Sequence, residues 1–190
     1  ILSLGHGLFF GFAAYAAART QIHLFKTSLL APLAAAVVLT ALLGLAVGFL
    51  VLRRRGVYFS LLTLAFTALA FTIAFRWTSF TGGESGLRGV NRIALAGLDL
   101  DNQFQFYWVV AALVFAVACL VWRVVRSPFG SVLVAIRENE VRARFLGYPV
   151  RRYKLVAFVL SVLVTAVGGA VFTFLQLFAS ADPVPPNFSG

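Results

Sequence analysis

The sequence has no methionine, one cysteine, two histidines and six acidic residues in 190 positions. Each shortage closes a class of function. A single cysteine, Cys119, excludes an internal disulfide, and in its apolar run it reads as a small buried hydrophobe. Two distant histidines and one cysteine make no metal site. No nucleophile and base stand at a catalytic spacing, so no chemical active site is expected, and the chain is read as no enzyme. No apolar run carries an acid that would couple an ion, which argues against a secondary transporter. Without an initiator methionine the chain reads as a piece truncated at both ends, and no signal peptide is assigned.

What is present is apolar surface. Hydrophobic residues make up 61% of the chain, against about 45–50% in a soluble domain. A soluble fold of this size cannot hide that much from water. Charge-free runs fall at 1–18, 27–52, 56–75, 102–122 and 155–181. About 20 apolar residues cross a bilayer as a helix, and none of these runs alternates as a barrel strand does. The expected fold is an all-α polytopic transmembrane bundle of about five spans, one permease-like domain over 1–190.

The net charge is +10, but the basic residues lie between the apolar runs. That placement reads as topology and contact with anionic membrane lipids rather than nucleic acid. If the spans alternate, eleven Lys and Arg fall on one side (Arg53–Arg55, Arg123, Arg126, Arg137, Arg142, Arg144, Arg151, Arg152, Lys154). Five fall on the other: Arg19, Lys26, Arg76, Arg88 and Arg92. The richer side is expected to be cytoplasmic. The RRRG link at 53–56 predicts a tight pair of neighbouring spans. Gly7/Gly11, Gly44/Gly48 and Gly168/Gly169 are candidate close-packing sites.

Residues 127–155 hold eight of the chain's 22 charged side chains. Ser127-Pro128 opens this stretch as N-cap and first helical residue. Gly147 and Pro149 close it. Val132, Ile136, Ala143 and Leu146 form one apolar stripe; Arg137, Glu138, Arg142 and Arg144 occupy other faces. The spacing predicts one or two short amphipathic helices at the cytoplasmic surface, within a loop over 127–154. Acids gain nothing at an anionic lipid surface, so Glu138 and Glu140 point to a docked protein, with charge setting register.

SPFGSVLVAIRENEVRARFLGYPVRRYKLVAFVLS (127–161) resembles the cytoplasmic loop and following helix of permease subunits of the high-affinity branched-chain amino acid ABC transporters. LSLGHGLFFGFAAYAAA, GVYFSLLTLAF at 56–66 and TGGESGL at 81–87 resemble the same family in the same order. The resemblance implies a bacterial inner-membrane, multi-pass permease that moves branched-chain amino acids inward. It also implies a second permease, cytoplasmic ATPases that bind the ATP, and a periplasmic solute-binding protein; this chain itself would hold no cofactor. Arg137, Glu138, Glu140, Arg142, Ala143 and Gly147 would form the ATPase-coupling element. Permeases for urea and short amides share the likeness. A broader importer signature, Glu-Ala-Ala, three residues, then Gly, is only echoed: Glu140 lies seven residues before Gly147, and Arg142 stands where a small residue is usual. A different class, a membrane scaffold or sensor recruiting a cytoplasmic partner, is the further alternative; the glycine and hydroxyl content of spans one, three and five suits a pathway instead. The remaining candidates are His6, inside an apolar run, as a pathway or proton-relay residue or a neutral helix-bonded histidine, and Thr81, Gly82 and Gly83 at an outer gate. Thr63, Thr67, Thr72, Ser161 and Thr165 are expected mostly to bond back to their own helices.

Overall fold

The computed structural model describes residues 5–24, 30–52, 57–77, 87–88, 102–176 and 178–179. Among them are seven helices: α1 (His6–His23), α2 (Leu30–Val51), α3 (Val57–Arg76), α4 (Gln103–Val125), α5 (Pro128–Glu138), α6 (Glu140–Phe145) and α7 (Val150–Gln176). One two-residue antiparallel pair, β1 (Leu87–Arg88) with β2 (Phe178–Ala179), joins Leu87 to Ala179 and Arg88 to Phe178. The chain is an all-α helical membrane bundle. Leu30–Val51, Phe104–Val125 and Val150–Gln176 are long and apolar enough to cross a membrane; Leu61–Arg76 is a shorter apolar helix. Thus three of the five expected spans meet that measure. α1 is 18 residues long and carries Arg19, Gln21 and a histidine at each end.

The core is α7 packed along α1 and α2. α1 and α7 run parallel: His6 meets Ser161, and Ala14 meets Thr173. α2 runs against them. A Cβ on Gly44 would stand 2.8 Å from Val162, and one on Gly48 would stand 2.7 Å from Phe158. Gly169 is tighter still, where an added Cβ would lie 2.3 Å from the Phe10 carbonyl oxygen. With no hydrophobic drive between helices in lipid, such backbone approach is how they gain dispersion energy. Two apolar clusters follow: Ala14, Ala17, Ala36, Phe106, Ala170 and Phe174 toward one end, and Leu8, Phe9, Val47, Val51, Phe158 and Val162 toward the other. Gly44/Gly48 and Gly169 thus do what their spacing predicts, whereas Gly11 has nothing within 4 Å and Gly7 and Gly168 make only ordinary contact.

Two expectations change. The short 53–56 link does not make α2 and α3 a tight pair; α3 leans more on α1. The glycine face of α2 is already taken by Val162 and Phe158, and α3 reaches the core through Leu62, Phe66 and Ala70 in one cluster and Ala74 in the other. Cys119 is exposed rather than buried. It sits on α4, which touches the core through Phe106, Val109 and Val110 in its first turns and is largely exposed beyond them.

Of Thr63, Thr67, Thr72, Ser161 and Thr165, three bond back to their own helices, while Ser161 meets His6 of α1. Thr67, Thr72 and Thr165 each donate to the carbonyl four residues back, at 2.9 to 3.0 Å. Thr173 also reaches across, donating to the Ala14 carbonyl at 3.1 Å. Pro32, fully buried, sits in the first turn of α2, where its missing N–H breaks no helical bond.

Replacing Gly169 with Ala should lower the apparent melting temperature of the detergent-solubilised protein, by the equivalent of about 1–3 kcal/mol for an overpacked contact. Gly11→Ala, facing open space, should leave it unchanged or raise it slightly. Thermal unfolding of the two variants side by side checks the contrast.

Candidate functional site

The same end of the bundle receives the C-termini of α2 and α4, the α5–α6 pair, and the N-terminus of α7. α5 and α6 form an elbow there, and its shape is set locally. Pro128 is the first residue of α5 and Ser127 its N-cap. The Ser127 hydroxyl does not cap α5, however; it donates to the Val124 carbonyl at 2.6 Å and secures the end of α4 instead. The turn between the helices is tight enough that a Cβ on Gly130 would sit 2.0 Å from the Val125 carbonyl oxygen. Asn139 is extended and ends α5, and its side chain accepts from the Arg142 N–H at 2.9 Å to open α6. Gly147, at φ +86°, closes α6: Tyr148 N–H bonds to Ala143 and Gly147 N–H to Arg144. Pro149 then accepts from Arg152 N–H at 2.9 Å, so α7 begins at Val150 and includes Arg151, Arg152 and Lys154.

Three contacts fix the elbow to α7. Ile136, Ala143 and Val150 form a small buried knot flanked by Val132 and Tyr153. Phe129 stacks on Tyr153 with ring centroids 5.4 Å apart, and Tyr148 meets the same ring edge-on. Glu140 accepts from Arg144 at 2.6 Å and from Lys154 at 2.7 Å. Burying a side chain the size of Ile is worth about 1.5–3 kcal/mol, while an exposed ion pair gives about 0.2–1 kcal/mol. The Glu140 carboxylate keeps about a quarter of its exposure, so the apolar knot holds the elbow down and the ion pairs set its angle.

The sequence-predicted residues therefore divide. Arg137, Glu138 and Arg142 are exposed, and among the described residues they have no ion pair. Glu140, Ala143 and Gly147 serve the elbow's own structure. Leu146 leaves the predicted stripe and is 70% exposed, because the break at Asn139 turns α6 out of register with α5. Its neighbour Phe145 is 88% exposed, and Val134 and Val141 also face outward. The outer face is thus mixed: apolar side chains among charges of both signs. A surface of that composition suits a protein partner. Sequence reasoning missed Asn139, Phe129 and Tyr153; the Asn before a short helical run was the one available signal.

His6 lies away from the elbow, its Nε2 2.7 Å from the Ser161 hydroxyl, as the helix-bonded reading expects. Thr81, Gly82 and Gly83 lie outside the described residues. Among the described residues no group of His, Cys, Asp and Glu is placed to hold a metal ion.

The family described as branched-chain amino acid transport system / permease component matches residues 1–189. The high-affinity branched-chain amino acid transport system permease protein LivM of Escherichia coli K12 is 30% identical over 205 residues, covering 96% of this chain and 48% of that protein. Its Salmonella typhimurium counterpart is 29% identical over the same length. A probable branched-chain amino acid transport permease protein LivM of Methanocaldococcus jannaschii is 23% identical over 142 residues, 73% of this chain and 41% of that protein. The chain spans about half the length of these curated relatives. No solved structure matches it.

Gly147→Ala should destabilise the elbow by about 1–2 kcal/mol, since an L-residue there must adopt the left-handed conformation. Hydrogen exchange should then speed up in α6 and the first turn of α7 while the α1–α2 core is unchanged. Equal protection in both regions would show that the turn tolerates a side chain.

Proposed function

The chain belongs to the family of branched-chain amino acid transport system permease components, and from that premise we propose that it forms the membrane path of an ATP-driven importer of branched-chain amino acids. The single observation that carries the mechanism is the elbow: a charged, outward-facing helix pair fastened to the first turn of the helix that packs along both α1 and α2. In this reading the elbow seats in a cytoplasmic ATPase, with Arg137, Glu138 and Arg142 setting register and Val134, Val141 and Phe145 giving contact area. ATP binds the ATPase, not this chain. A second permease subunit and a solute-binding protein complete the transporter, in the inner membrane of a bacterium. α1 and α3 join the three longer helices as spans, giving five.

Orientation follows from charge. Among the described residues the end bearing the elbow holds eight Lys and Arg residues and the opposite end three, Arg19, Arg76 and Arg88, so in this reading it faces the cytoplasm. Movement of the docked elbow passes to α7 through the knot and the Tyr153 stack, because a packed core shifts between discrete arrangements rather than deforming smoothly. α7 holds α1 by Gly169 and His6 and holds α2 by Gly44 and Gly48, so these three would move as a unit. α4, joined to the core only through its first turns, would act as a tether.

In the full-length transporter, reversing Glu138 and Arg142 (Glu138→Arg, Arg142→Glu) should cut ATP-dependent uptake about tenfold or more, the effect of losing ~1.4 kcal/mol at the dock, and should release the ATPase on purification. Normal uptake with the ATPase retained would overturn the assignment. His6→Ala should leave uptake within about twofold, as suits a structural helix–helix hydrogen bond worth roughly 1 kcal/mol or less.

A further inference from the structure

We propose that the basic rim beside the elbow, formed by Arg123 and Arg126 at the end of α4 and Arg151 and Arg152 at the start of α7, is a binding surface for the phosphate headgroups of anionic phospholipids. Three observations carry this. The first is uncompensated charge. Among the described residues at this end, two acids, Glu138 and Glu140, stand against eight basic residues. Glu140 is taken by Arg144 and Lys154. Among the described residues no carboxylate pairs with any of the four rim arginines.

The second is where two of these guanidinium groups lie. Arg126 covers the Trp122 ring at 4.3 Å, and Arg151 covers the Phe49 ring at 4.9 Å. Both rings are about half exposed. An exposed Trp at the end of a membrane-spanning helix sits at the boundary between hydrocarbon and headgroups, and Phe49 lies two residues from the end of α2. A guanidinium stacked on it is held at headgroup depth, with its N–H fork free to meet a phosphate. The third is placement. The rings belong to α4 and α2, and the Phe129–Tyr153 stack binds the start of α5 to the start of α7, so the four arginines share one end of the bundle. The elbow carries its own cations, Arg137 and Arg142, on helices outside the spans, and those are left for the protein partner.

The inference needs only that the chain spans a membrane, and its test does not read transport. The purified full-length transporter is exchanged into nanodiscs of phosphatidylcholine, alone or mixed with phosphatidylglycerol, then released for native mass spectrometry. The wild type should keep phosphatidylglycerol in preference to phosphatidylcholine and gain thermal stability in the mixed discs. Arg126→Gln with Arg151→Gln should cut that retention several-fold and abolish the gain, while Arg76→Gln at the opposite end changes neither. Arg126→Lys with Arg151→Lys, which keeps charge at the rim, should retain part of the binding and serves as the readout if the glutamine variant does not assemble. Undiminished phosphatidylglycerol retention by whichever variant assembles would overturn the proposal. So would equal stabilisation of the wild type by inorganic phosphate in phosphatidylcholine discs, which would make the rim a general anion site. Loss of the ATPase with lipid retention unchanged would assign the rim to the protein partner and overturn it equally.

Discussion

Everything at the charged end of this molecule depends on how closely α7 approaches its two neighbours. Three glycines permit that approach: Gly44 and Gly48 on α2, and Gly169 on α7 itself. Without side chains at these points, Val162 and Phe158 settle against α2, and the backbone of α1 comes within contact of α7. A helix buried along two partners has one axial position. Its first turn is therefore a fixed platform, and the elbow is built on that turn.

The elbow extends this fixed platform outward. A short loop between two long helices is ordinarily the softest part of a membrane protein. Here it is shaped by Gly130, Asn139 and Gly147, and it is fastened by Ile136, Ala143, Val150 and Tyr153. The side chains that fasten it belong to α7, while at its start it turns tightly against the end of α4 at Gly130. A partner that moves the elbow therefore pulls on the core, and the pull is carried by packed side chains and ion pairs rather than by the covalent connection alone. Glu140 lies where the two links meet, bonded within α6 to Arg144 and across to Lys154.

The broad architecture was legible because membrane helices announce themselves: an apolar run with charged ends has few other folds open to it. The elbow's ends were legible for a similar reason, since Pro128 and Gly147 have backbone preferences that act locally. What the sequence hid was pairing. Gly7/Gly11 and Gly44/Gly48 have identical spacing, yet only the second pair meets another helix closely. The four-residue link predicted α2 against α3, but the preferred face of α2 had gone to a helix a hundred residues away. Likewise Ala143 is buried as its place in the apolar stripe predicts and Glu140 is bonded within the elbow, while Phe145 and Leu146, absent from the candidate set or assigned to the stripe, are among the most exposed apolar side chains of the described residues. The glycine and α2–α3 outcomes are decided by contacts distant in sequence, and those of the elbow by the helix break at Asn139; periodicity expresses neither.

In the proposed function the outer face of the elbow is a protein dock coupled to the core through α7. The most direct measurement is site-specific photocrosslinking in native membranes, with the reactive group placed at Phe145 or Arg142 and, for comparison, at Trp77 on the opposite end. A docked elbow should give a crosslink from positions 145 and 142 to a P-loop ATPase, with a yield that changes when ATP is added, and none from position 77. Crosslinks from 145 and 142 to lipid alone, or to an ATPase with no response to nucleotide, would contradict it.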